Sequence, residues 1–171
     1  MPPLTETLMA DAGLFAIRLV FGPYLFAHGA QKLFGWFHGM GFQAASKMLD
    51  TFGFRPAGLF VRVAALTEMT AAVLITLGLL GPVGPALMVS VMIVACVSVW
   101  RNGLFAVTGG AELSVLYGTV GVGLALVGPG RASLDFVLGL DTLWTPGIAG
   151  MVLAIGVLGG LGNLATRRKP G

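Results

Sequence analysis

Apolar residues in this chain come in long blocks rather than in the stripes of a water-soluble helix. Five blocks read as membrane spans, against a requirement of about 17–25 residues each. They are residues 14–33, 59–80, 83–100, 112–127 and 146–165. The fourth is short and Gly-rich, and is expected to borrow a turn from residues 106–111. Pro23 predicts a kink in the first span, because it removes a backbone donor and crowds the preceding turn. Pro82, Pro85 and Pro146 stand at span starts, where a missing N–H costs nothing. Between the first two spans, Phe42, Ala45, Met48, Leu49 and Phe52 recur at helical spacing. That predicts a short amphipathic helix over residues 42–52 lying in the interface. Trp36 and Phe37, just before it, fit an aromatic interface belt. The fold expected is an all-α integral membrane protein: an antiparallel four-helix transmembrane bundle over residues 1–140, then a fifth C-terminal transmembrane helix and basic tail over 141–171.

Composition agrees. Of 171 residues, 56% are hydrophobic and 10% charged, against about 25% charged in soluble domains. The net charge of +3 is no nucleic-acid footprint, since three of ten basic residues are the terminal Arg167, Arg168 and Lys169. A lone Cys96 excludes an intrachain disulfide, a CxxC redox pair and a multi-cysteine metal site. Residues 1–12 carry Glu6 and Asp11 and no basic residue, so the first span reads as an uncleaved anchor. With the N-terminus outside, Lys47, Arg55, Arg62, Arg101 and the terminal basic cluster all fall on the cytoplasmic side. The expected topology is therefore N-outside, C-inside.

Several charges do not fit a plain span. The first carries Arg18, His28 and Lys32, and ionised side chains at depth cost roughly 2.5–3.5 kcal/mol on insertion scales. At about 100° per residue, Lys32 lies about 40° and His28 about 80° from Arg18, with Gly22 and Gly29 on the same side. Glu68, about 14 Å into the second span, answers this stripe. Ala64, Ala65, Ala71 and Ala72 surround it and permit a close neighbour. Two ionic layers are expected: Glu68 with Arg18 or His28 in mid-membrane, and Glu112 with Lys32 or Arg62 at the inner rim. Arg18, His28, Lys32, Glu68 and Glu112 are thus the candidates for a ligand site or proton relay. The same pairs would also serve simply to lock helices in register. Ser90, Cys96, Ser98 and Trp100 read as packing and interhelical hydrogen-bonding residues. Ser133 reads as a helix cap before Leu134.

No motif specifies a reaction. His28 and His38 alone make no metal site, no haem or flavin motif is present, and Ser133 with Asp135 makes no triad. Gly156-x-x-x-Gly160 in the fifth span offers a close-packing face for the bundle or for a second copy of the chain.

Four stretches carry a resemblance: HGAQKLFGWFHGMG at 28–41, Glu68 followed by LGLLGPVGPAL, GGAEL at 109–113, and GPGRASLD at 128–135. In order and spacing over residues 13–140 they resemble the DoxX family. The chain departs from the family pattern at Trp100, where a histidine is common, and at Leu113-Ser114 after Glu112, where Tyr-Pro is common. The resemblance implies a four-helix protein of a bacterial-type plasma membrane, associated with redox or detoxification complexes. Its relatives include the quinone-linked DoxD subunit of a thiosulfate oxidoreductase. It also implies a quinone as candidate ligand and redox proteins as partners, alongside the lipid bilayer. Two other functions fit the same charges: a non-catalytic assembly or scaffold protein, and a small-solute or proton-coupled permease.

Overall fold

The structure, a computed structural model, describes residues 4–168, and all regular elements among them are helical. Lys169 of the basic tail lies outside the described residues. The helices are α1 (Leu4–Leu33), α2 (Gly41–Thr51), α3 (Ala57–Leu77), α4 (Val83–Val99), α5 (Glu112–Val127), α6 (Leu134–Val137) and α7 (Pro146–Ala165). By length and composition α1, α3, α4 and α7 are able to cross a membrane. The 16 residues of α5 span about 24 Å, slightly less than a typical hydrocarbon core. A separate 3₁₀ turn at Ala106–Thr108 precedes α5, so the fourth span does not borrow that turn. α1 runs ten residues further toward the N-terminus than the apolar block, with Pro23 inside one continuous helix.

Helix ends follow local chemistry. α3 stops at Leu77 rather than Leu80 because Gly78 takes the left-handed conformation (φ 63°, ψ 47°) and its N–H donates to Ile75 O at 3.1 Å. Thr145 caps α7 by accepting from Ile148 N, with Pro146 in the first turn. Ser133 Oγ accepts from Phe136 N at 3.2 Å, the cap expected before α6.

Sequential spans pack side by side: α1 on α3, α3 on α4, α4 on α5. Tyr117 of α5 closes the ring by packing edge-on against Phe21 and His28 of α1. The core between them holds Leu25, Ala72, Ile75, Met88, Met92 and Leu124. Small residues set the α1–α3 register. A Cβ at Gly29 would lie 2.7 Å from Ala65 O, so the two backbones touch there. α7 lies outside the ring against α4 and α5. Its Gly156 and Gly160 seat on Ala86 and Ser90 of α4. The close-packing glycines of the fifth span are therefore used within the chain, and a second copy would need another surface.

Candidate functional site: a cavity at the basic end of the bundle

A cavity of about 340 Å³ opens between α1, α3, α4 and α5 at the end where α1 finishes and α3 begins. That volume falls in the range of small-molecule pockets, roughly 300–1,000 Å³. Its walls are largely apolar. Met48, Leu49 and Phe52 of α2 and its C-terminal junction roof it, with Phe54 and Phe60 beside them. The amphipathic segment expected at the interface thus turns one edge of its apolar face toward the cavity.

Glu68, Lys32, His28 and Tyr117 bring polar chemistry to these walls. Glu68 is 1% exposed, and its Oε1 forms an ion pair with Lys32 Nζ. Its Oε2 is buried with no partner among the described residues. A buried carboxylate satisfied on one oxygen only is costly, because the desolvation penalty is incompletely offset. His28 Nδ1 lies 3.2 Å from Gln31 Oε1. The Gln31 amide is oriented by donating through Nε2 to Phe37 O at 3.3 Å. With the amide held in that orientation, Oε1 faces Nδ1 as an acceptor. The Tyr117 ring stands edge-on to His28, with centroids 5.7 Å apart at 81°.

The pairing differs from the expected layers. The Gly29–Ala65 contact brings Glu68 level with Gly29, so Lys32, one turn away on the same stripe, bends back to reach it. Arg18, about 16 Å further along α1, does not reach it. Glu112 pairs with neither Lys32 nor Arg62. It accepts from Ala106 N at 2.7 Å and so ties the α4–α5 loop, while Arg62 lies 4.9 Å over the Phe42 ring. Trp36 and Phe37 project from the α1–α2 loop, more than half exposed.

Arg18 belongs to the opposite end of the bundle. It is 2% exposed, and its Nη2 donates to Ala132 O. Nε and Nη1 have no partner among the described residues. Beside Arg18 is a void of about 10 Å³, room for one water at most. Next to it Asp135, fully buried, accepts from Leu80 N (2.8 Å), Gly81 N (2.5 Å) and Trp144 Nε1 (2.7 Å). Asp11 Oδ1 accepts from Arg131 N at 2.9 Å. The GPGRASLD stretch is thus a structural knot joining α1, the α3–α4 turn and the start of α7. Trp144, beyond the boundary expected at residue 140, is bonded into the bundle by it.

Sequence reasoning missed three residues. Asp135 looked like a loop acid, and nothing local signals that it is buried. Tyr117 carried a weak signal, as the single tyrosine of the fourth span. Asn163 carried a better one, as the only carboxamide in an otherwise apolar fifth span. It lines the cavity, and its Oδ1 is buried without a partner among the described residues. Ser90 and Ser98, expected to pack between helices, also line the cavity. Ser98 additionally donates to Val94 O at 2.7 Å.

Residues 13–101 match the model of the DoxX family. The matched stretch holds most of α1 and all of α2, α3 and α4, with Arg18, His28, Lys32 and Glu68. It stops before α5, short of the residue 140 reached by the resemblance. Neither a curated protein nor a solved structure matches the chain.

Proposed function

The chain belongs to the DoxX family, and from that premise we propose that it is a membrane subunit of a redox or detoxification complex whose cavity takes up a lipid-soluble ligand, a quinone or a molecule of similar shape. The observation that carries this reading is the open cavity beside His28 and the half-paired Glu68. A quinone supplies two-electron, two-proton chemistry when bound. The chain's own residues handle its protons and its position. Glu68 and His28 stand at the cavity wall, a carboxylate and an imidazole each suited to hold or pass on a proton. Lys32 keeps the Glu68 carboxylate oriented by its bond to Oε1. The apolar walls hold the ligand tail and limit water. Electrons come from a partner protein, since one cysteine cannot form a redox pair.

Charge placement supports the side of action. Lys47, Arg55, Arg62, Arg101, Arg167 and Arg168 all stand on the elements at the cavity end. By the positive-inside rule that end faces the cytoplasm of a bacterial-type plasma membrane, with the N-terminus outside and Trp36 and Phe37 at headgroup level.

The deciding experiment is extraction of lipid-soluble cofactors from protein purified out of native membranes in mild detergent. Quinone should accompany wild type and be lost in Glu68→Gln. Quinone-free wild type, from cells in which deletion leaves quinone-linked oxidation unchanged, would overturn the reading. The scaffold alternative draws on the same buried Lys32–Glu68 pair acting as a register lock. It predicts that His28→Ala lowers protein abundance and partner recovery together, with no separate loss of activity.

A further inference from the structure

α7 and its following turn lie outside the family match, yet they reach the cavity from two directions. Asn163 lines the cavity from the last turn of α7. After α7 the chain turns through Thr166, whose N–H donates to Asn163 O at 3.1 Å, and crosses to the roof. There Arg168 N donates to Gly53 O at 2.9 Å. The Arg167 guanidinium lies 5.8 Å from the ring centroid of Phe54, a cavity residue. The contact is tight, since a Cβ on Gly53 would lie 2.1 Å from Arg168 O. Gly53 joins α2 to α3, so whatever sits on it restrains the roof.

We propose that α7 completes and closes the ligand site: Asn163 Oδ1 accepts a hydrogen bond from a donor-bearing head group, and the Arg167–Arg168 segment latches the α2–α3 roof over it. The inference rests on the cavity being a ligand site, as read above. It adds a ligand class, an amphiphile whose small head offers O–H or N–H groups. It also explains why an appended span carries a carboxamide: a buried, unpaired acceptor in an apolar helix is unfavourable unless something fills it.

Two measurements test the two parts. The first is binding of a decyl-tailed hydroquinone to detergent-purified protein. Asn163→Leu should weaken it about tenfold, the loss of one buried hydrogen bond, with the melting temperature unchanged and affinity partly restored in Asn163→Gln. Equal affinity in wild type and Asn163→Leu overturns the assignment of Asn163. If wild type takes up no hydroquinone, the redox reading and the Asn163 assignment fall together. The second measurement needs no ligand. In a Cys96→Ala background, Ser98→Cys reports access to the cavity wall by a water-soluble maleimide. Truncation after Thr166 should raise the labelling rate several-fold while the protein remains folded in detergent. An unchanged rate overturns the latch whatever the ligand proves to be.

Discussion

The two ends of this bundle each bury a carboxylate, and they do so to opposite effect. At the Arg18 end, Asp135 is held by two backbone N–H groups and an indole, and the remaining space is about 10 Å³. At the Lys32 end, Glu68 has one partner and one bare oxygen among the described residues, and about 340 Å³ of cavity beside it. Both carboxylates are almost wholly buried. The difference lies in what satisfies them. A loop backbone folds around Asp135 and makes it a structural tie. Only a long lysine side chain reaches Glu68, and room for a ligand is left over. Burial of a charge therefore marks neither structure nor function until its hydrogen bonds are traced.

The comparison predicts an order of stabilities in detergent. Asp135→Ala should cost most, about 3–5 kcal/mol, because it strands two backbone donors and one indole donor in the knot. Thermal unfolding reads this directly, and a loss below that of Glu68→Gln would reverse the roles of the two ends. Gly156→Val should follow at about 1–3 kcal/mol, since its new side chain meets Ala86 O, a backbone atom that cannot swing away. Glu68→Gln should lose about 1–2 kcal/mol, because Lys32 keeps a partial route to water at the cavity. Ligand uptake should disappear with it, and uptake at the wild-type level would break the functional half of the comparison. Glu112→Gln should change stability by less than about 0.5 kcal/mol, for glutamine still accepts from Ala106 N at this exposed loop. His28→Gln should be equally mild in unfolding yet abolish proton-coupled turnover in the native complex. Parallel losses of stability and turnover would place His28 with the structural residues.

Much of this was legible in the residues alone. Spans at 112–127 and 146–165 coincide with α5 and α7, because uninterrupted apolar blocks bounded by glycine and proline leave few alternatives to a membrane helix. The amphipathic helix near 42–52, the Ser133 cap and the DoxX resemblance came the same way. Glu68, Lys32 and His28 stood out because ionisable groups are rare at depth, and all three line one cavity. Their partners were not legible. Helical phase put Arg18, His28 and Lys32 on one stripe, but which of them meets Glu68 depends on how far α1 slides along α3. That is fixed by a backbone contact at Gly29 and Ala65 between residues far apart in the chain. Asp135 was invisible for the same reason: its three donors come from the α3–α4 turn and from Trp144. Sequence by itself determined the fold class, the spans and the charged residues that membrane physics makes conspicuous. Tertiary structure decided which charges pair, where space remains, and that α7 reaches it through Asn163. Those outcomes turn on register and contact distances of a few ångströms, which no local pattern of side chains encodes.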